Sequence, residues 1–233
     1  MLGRVELLDR DGEEGAVVEQ IGGMDCLCVR LKEGNGALQR KKLRRARRFF
    51  LSYGVKRVLL PDDGALPPEL ECWSRGDIRP FCRGIADVLA LGVLEGEGTP
   101  PECAAVSLAA SHLSYELCRT ASLLCPKVRG LCIDVPGEGV EFARWLHREY
   151  GIPVRPPGRS DLTLRFAPGR DSGGLQLDLS REGSGPVGVG LTAPGLCLPP
   201  GYEKQALAAL WEYGKLDRTQ IRVLWRKERG ISS

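Results

Sequence analysis

The chain has 233 residues, of which 42% are hydrophobic and 27% charged, and its formal net charge is +3. This composition is that of an ordinary globular protein, and a chain of this length can bury a core, so we expect it to fold. No apolar run approaches the roughly 20 residues that cross a bilayer, and the N-terminus lacks the layout of a secretory signal. The nine cysteines, an odd number, fit a reducing compartment. We therefore expect a cytoplasmic protein that does not contact membranes.

Short strands and helices with glycine-rich turns are predicted for the first part of the chain. In chain order these are strands of a small antiparallel unit within 4–31, a helix over 37–53, a strand over 55–60 and a helix over 79–94. Gly54 is placed to end the first helix, as a C-terminal glycine does.

A domain boundary is predicted at 95–101, because this segment is short, polar and rich in glycine and proline. It separates an N-terminal α+β region over 1–98 from a second domain over 99–233. Strands and helices of similar length alternate in that second domain, which predicts a parallel sheet with right-handed crossovers. The fold class is therefore α/β, with a Rossmann-like parallel-sheet C-terminal domain and a smaller N-terminal α+β region.

The segment 104–155 resembles in layout the first half of a Rossmann dinucleotide-binding domain. In that fold a glycine-rich turn follows the first strand, and an acidic residue about 20 positions on contacts the ribose. The corresponding turn here is Leu108-Ala109-Ala110-Ser111-His112-Leu113, which has no glycine, while Asp134 stands where the ribose acid would be. The resemblance implies a cofactor-contacting set made of Ala110, Ser111, His112 and Asp134.

The missing glycines change what this turn can bind. Alanine side chains would hold a pyrophosphate away from the backbone amides, so we expect no standard dinucleotide cofactor. Ser111 is predicted to cap the following helix, whose free amides still attract an anion. An atypical nucleotide or a small anion therefore stays compatible with the turn. A literal G-x-G-x-x-G at Gly183, Gly185 and Gly188 is interpreted as a surface loop, because the prolines and glycines that follow prevent a helix.

Positive charge is concentrated between Gly34 and Pro61, where nine basic residues and no acidic ones occur. Since the whole chain carries +3, everything outside this segment sums to −6 (3 − 9). Helical geometry places Leu43, Ala46, Phe50 and Tyr53 on one stripe, with most of the basic residues opposite.

Like charges at this density repel one another, whereas a solvated helix ordinarily mixes Glu with Lys. We predict a polyanion-binding face made of Arg40, Lys41, Arg44, Arg45, Arg47 and Arg48. A plain solvated face and contact with an acidic protein surface remain open alternatives. Phosphate contacts from such a helix would be independent of sequence and steeply dependent on salt.

No catalytic or metal-binding residue is assigned. Cys26 and Cys28 share one face of a strand but lack further ligands, and His112 and His147 lie on separate predicted helices. Three functions are left: a non-catalytic binding or regulatory protein on a degenerate nucleotide-binding scaffold, a nucleic-acid-associated protein using the helix at 40–48, and an oxidoreductase or transferase with an atypical cofactor turn.

Overall fold

The computed structural model describes residues 1–8, 12–32, 34, 36–59, 68–70, 77–155, 158–168, 174–181 and 185–226. Cys72 and Gly183 lie outside these ranges. The strands are β1 (Leu2–Leu8), β2 (Gly15–Ile21), β3 (Met24–Lys32), β4 (Arg57–Leu59), β5 (Ala105–Ala109), β6 (Gly130–Asp134), β7 (Val154–Arg155), β8 (Leu162–Arg165), β9 (Gln176–Asp178), β10 (Val189–Thr192) and β11 (Arg222–Trp225). The helices are α1 (Gly36–Ser52), α2 (Arg79–Gly84), α3 (Ala86–Gly96), α4 (Tyr115–Leu124), α5 (Glu138–Tyr150) and α6 (Glu203–Glu212).

The chain divides into two compact units. Unit 1 comprises Met1–Asp77 and Ala193–Asp217, and unit 2 comprises Ile78–Thr192 and Arg218–Ser233. This division differs from the predicted boundary near residue 99, because α2 and α3 belong to unit 2. There α3 packs on β11 so closely that a Cβ added at Gly92 would lie 2.4 Å from Cβ of Val223. The boundary between the units is therefore set by contacts between segments far apart in sequence, such as α3 and β11, and the composition of 95–101 does not reveal these contacts.

Unit 1 is built on a four-stranded sheet in the order β2-β3-β1-β4. β1 runs parallel to β3 and β4, and β2 pairs with β3 in an antiparallel hairpin. The hairpin turn is Gly22-Gly23, where both residues have positive φ, as a tight two-residue turn requires. The antiparallel prediction thus holds for β2 and β3 but is wrong for β1, since the hairpin uses one edge of β3 and leaves the other to β1.

Two helices cover the opposite faces of this sheet. The stripe Leu43, Ala46 and Phe50 of α1 is buried in a core that includes Val5 and Val29. On the other face, α6 is almost entirely buried over 205–210. Tyr202 directly precedes α6, and its hydroxyl donates a hydrogen bond to the Val5 carbonyl oxygen of β1 at 2.6 Å.

Unit 2 contains a five-stranded sheet in the order β7-β6-β5-β8-β9, in which every neighbouring pair is parallel. Counted along the chain this is the order 3-2-1-4-5 of a Rossmann-like sheet. The crossovers from β5 to β6 and from β6 to β7 are α4 and α5. The predicted fold class is confirmed: the chain is an α/β protein with a Rossmann-like parallel sheet and a smaller N-terminal region.

Among the described residues, no helix combines the length and the apolar character that crossing a bilayer needs.

Candidate functional site

The basic face of α1 points to solvent. Six of its side chains are exposed: Arg40, Lys41, Arg44, Arg45, Arg47 and Arg48. Within the described part of the chain, no carboxylate forms an ion pair with any of these six. The helix itself has no acidic residue in its first turn, so the charge is not balanced within α1. The structure therefore places all six predicted residues together on one helix.

Lys42 differs from these six because it is tied to the sheet. Its Nζ lies 2.5 Å from Oε1 of Glu14 and 3.1 Å from the carbonyl oxygen of Lys32. The hydrogen bond from Lys42 lowers the pKa of Glu14 below its ordinary value. Lys42 thus fastens α1 to the ends of β2 and β3, and its charge is already paired.

A groove of about 750 Å³ runs beside α1, where the helix leaves the edge of the sheet uncovered. Its sheet side includes the apolar residues Ala16 of β2 and Val29 and Leu31 of β3, together with the charged residues Glu14 and Arg30. Arg45, Arg48 and Phe49 line the helix side. The Phe49 ring packs against Tyr53, with ring centroids 4.7 Å apart. Cationic side chains thus border a surface that offers an aromatic ring.

Sequence reasoning missed two features of this groove. Phe49 was not proposed as a contact residue, although an aromatic residue directly after Arg47-Arg48 is a visible signal in the sequence. The buried stripe was predicted to include Tyr53, which is 52% exposed. Tyr53 directly follows the last residue of α1, Ser52, and its N–H still donates to the Phe49 carbonyl oxygen at 3.1 Å. Its exposure therefore comes from a lack of neighbouring cover at the end of the helix.

The four residues of the predicted cofactor set lie together at the carboxyl ends of β5 and β6. Ala109 and Asp134 are partners in the sheet register, and the Ala110 N–H donates to the Asp134 carbonyl oxygen at 3.1 Å. Ser111 and His112 are exposed, with 3.0 Å between Ser111 Oγ and His112 Nδ1. The structure thus brings the four predicted residues together at one edge of the sheet, and their contact with a cofactor stays a prediction.

The helix after this turn begins later than predicted. α4 starts at Tyr115, and its N-cap is Ser114, whose Oγ accepts from the Leu117 N–H at 3.2 Å. Ser111 is therefore not the cap, and His112 lies in the preceding bend rather than in the first helical turn. The first turn also carries Glu116, a negative charge where an anionic ligand would bind. These features oppose binding of a pyrophosphate at the α4 N-terminus.

Arg165 was not singled out from the sequence, yet it ends β8 opposite Ala109 in the register. It is 6% exposed, and its Nη1 lies 3.4 Å from Oε1 of Gln176 on β9. A single arginine at the end of a short strand gives no sequence signal, because its burial depends on the neighbouring strands.

The cysteines of β3 are buried structural residues. Burial raises the pKa of the Cys26 thiol to about 12 and that of Cys28 to about 11. A thiol with such a pKa is protonated at neutral pH and is a poor nucleophile. Within the described ranges, no three His, Cys, Asp or Glu side chains converge in a way that would hold a metal ion.

Comparison with protein families and with curated proteins gives no match. Among solved structures, the chain is similar to shikimate 5-dehydrogenase from Listeria monocytogenes in complex with shikimate and NAD, at 9% identity and a TM-score of 0.27, over 62% of this chain and 59% of that one. It is also similar to L-tryptophan dehydrogenase from Nostoc punctiforme, at 16% identity and a TM-score of 0.29, over 72% of this chain and 56% of that one. The chain thus covers less than two thirds of either enzyme, and likeness at this level assigns it no substrate or cofactor.

Proposed function

We propose that this protein is a non-catalytic binding protein that contacts nucleic acid through the basic face of α1. The observation that carries the proposal is the set of six exposed cations on one helix without ion-pair partners among the described residues. A nucleic-acid backbone can bind several of these cations at once, because every nucleotide carries a negative phosphate. Binding also releases the counterions that the basic side chains replace at the phosphates.

The ion pair of Lys42 with Glu14 supports the proposal that the other basic side chains of α1 bind a separate molecule. The rest of the protein carries the excess of acidic residues, yet Glu14 reaches only Lys42 in this helix. If the protein's own carboxylates neutralised the helix, further ion pairs of this kind would be expected on its basic face. The six exposed side chains therefore remain available for an external polyanion.

The groove beside α1 favours a single strand over a duplex. Unstacked bases bind on aromatic rings, while arginines contact the backbone next to them. Phe49 lines the same groove as Arg45 and Arg48. In a duplex the faces of the bases are stacked and could not reach this ring.

In this proposal the Rossmann-like unit serves as a scaffold. The glycine-free turn, the Ser114 cap and Glu116 each oppose pyrophosphate binding at the α4 N-terminus. A fold of this kind hosts many functions, so the sheet by itself implies no enzymatic activity.

The test is fluorescence anisotropy with a labelled 30-nucleotide single strand and the matching duplex, over a range of salt concentrations. The variant replaces Arg44, Arg45, Arg47 and Arg48 with alanine. The control replaces four exposed arginines of unit 2 with alanine, namely Arg129, Arg144, Arg148 and Arg159. Both variants lose the same net charge, so only the position of that charge differs between them.

We expect the α1 variant to lose most of its affinity. The slope of log K against log salt should become shallower by up to about 3, since each lost contact with a single strand removes about 0.7. The control should keep the slope of the wild type. Equal losses in both variants, or unchanged binding in the α1 variant, would rule out the proposal. Tighter binding of the duplex would rule out the assignment to single strands.

A further inference from the structure

A second cavity lies in unit 1, away from the groove beside Phe49. Its volume is about 900 Å³, within the range of small-molecule sites. It opens at the carboxyl ends of the parallel strands, since Leu7 near the end of β1 and Leu59 at the end of β4 line it. Gly34 and Gly36, which follow β3, also line it. In open α/β sheets, ligands bind outside the carboxyl ends of the strands.

The start of α1 forms one wall of this cavity. Gly36, Gln39 and Arg40 line it, and the first turn of this 17-residue helix has no acidic residue. Free N–H groups and the helix dipole favour a negative charge at such a terminus. Gly34 and Gly36 carry no side chain that would keep a ligand from the backbone.

Arg4 also lines the cavity, and its guanidinium is buried with one donor unused. Arg4 is 7% exposed, and its Nη2 is paired with Glu19 at 2.8 Å. Its Nε is buried without a hydrogen-bond partner. A buried donor left unpaired costs free energy, and a ligand acceptor in the cavity would remove that cost.

Gln39, like Arg4, has a buried polar atom without a hydrogen-bond partner, namely its Oε1. Rotation of the amide would turn the Nε2 donor toward the same point, so the side chain can serve either an acceptor or a donor of a ligand.

Two carboxylates limit the charge that the cavity accepts. Glu6 and Glu69 both line it. Burial opposes the ionisation of Glu6, but hydrogen bonds from Arg30 and Cys28 and the charge of Arg4 together lower its pKa. A dianion would be repelled by these groups, whereas a single negative charge can be held at the α1 terminus. The rest of the lining is mainly apolar and consists of Val5, Leu7, Leu43, Leu59, Leu70, Pro68, Pro200, Gly201 and Tyr202.

We infer that this cavity binds a small carboxylic acid, with its carboxylate at the α1 N-terminus near Arg4 and its apolar body against the leucines. This site shares Arg40 with the basic face of α1, but it does not depend on nucleic-acid binding by that face. The inference joins a cavity at the carboxyl edge, an N-terminal helix turn that is free of acidic residues, and two buried polar atoms without partners.

The experiment uses benzoate, phenyl phosphate and benzyl alcohol as probes, titrated into the full-length ¹⁵N-labelled protein. We expect saturable binding of benzoate, with amide shifts at Gly34, Gly36 and Leu7. Phenyl phosphate should bind more weakly because it is a dianion near neutral pH, and benzyl alcohol more weakly because it has no charge. Absence of binding, shifts elsewhere, or tighter binding of either of the other probes would overturn the inference.

Two variants test the position of the carboxylate. Gln39→Glu adds a negative charge inside the cavity at a helix terminus where glutamate favours folding, so the protein should fold and lose benzoate affinity by at least about tenfold. Leu38→Glu adds the same charge to the same helix at a position that is 57% exposed and should retain benzoate binding. Equal affinities in the two variants would overturn the inference.

Discussion

Nη2 of Arg4 on β1 lies 2.8 Å from Oε2 of Glu19 on β2, although β3 stands between these strands. Glu6 reaches the same guanidinium at 3.6 Å, and Arg30 contacts both carboxylates. The Arg4 guanidinium also lies over the Tyr202 ring, 5.6 Å from its centroid. Four charges therefore balance one another across three strands on the α6 face of the sheet.

The first prediction concerns this buried pair. Glu19→Gln should lower the free energy of unfolding of unit 1 by roughly 2 kcal/mol, because among the described carboxylates only Glu6 then remains paired with the buried Arg4 guanidinium. Glu14→Gln, which breaks an exposed pair with Lys42, should cost less than about 1 kcal/mol. Urea denaturation followed by circular dichroism would measure both. The idea fails if the two substitutions cost the same.

The second prediction concerns the close contact of α3 with β11. Gly92→Ala should destabilise unit 2 by roughly 1–3 kcal/mol, although alanine is the better helix former, because its Cβ would lie 2.4 Å from Cβ of Val223. Gly15→Ala is the matched control, since an added Cβ there meets no atom within 4 Å. Thermal unfolding would compare them, and a Gly92→Ala protein as stable as the wild type would disprove the contact.

The third prediction uses the thiols. At pH 8, iodoacetamide should label the exposed Cys103 and Cys197 of the native protein and spare Cys26, Cys28 and Cys125. Burial raises the pKa of these three thiols to about 12, 11 and 11, so almost no thiolate exists at that pH. Peptide mass spectrometry after short labelling would show the pattern. Rapid labelling of Cys28 would contradict its assignment as a structural residue.

The fourth prediction concerns the turn at 109–112. NAD and NADH at millimolar concentration should leave the melting temperature unchanged, because Ala110 and Glu116 oppose a pyrophosphate at the α4 N-terminus. Ala110→Gly with Glu116→Gln removes both obstacles and is the informative comparison. A saturable thermal shift of the unmodified protein by either nucleotide would show that the Rossmann-like unit is a working cofactor site.

Local patterns predicted the elements well and their partners poorly. The helix predicted over 37–53 is observed at Gly36–Ser52, because its apolar stripe and its glycine stop are both local signals. The spacing of Val140, Ala143, Leu146 and Tyr150 in the sequence predicts one apolar helical stripe. In α5 only Leu146 of these four is buried, while Val140 and Tyr150 are 55% and 43% exposed. The periodicity of apolar residues predicts which face of a helix is buried. How much of that face is buried depends on the neighbouring elements, which the local sequence does not reveal.

The candidate site was predictable only where it lies on one continuous segment. The six cations of α1 fall within nine residues, so their shared face follows from helical geometry. The cavity in unit 1 draws its lining from β1, the start of α1, the end of β4 and two later segments around residues 69 and 201. The sequence signals none of these as neighbours, because they meet only after the parallel sheet has formed.

The path of the chain through the two units has a consequence for synthesis. Unit 1 begins at the N-terminus but is completed only by Ala193–Asp217, which supplies α6 and Tyr202. Until that segment emerges from the ribosome, the α6 face of the first sheet has no cover, and its buried charges and cysteines are open to water. Unit 2 in turn waits for β11, which lies still later in the chain. The completion of unit 1 therefore waits until most of unit 2 has been made, and β11 completes unit 2 only after α6 has completed unit 1.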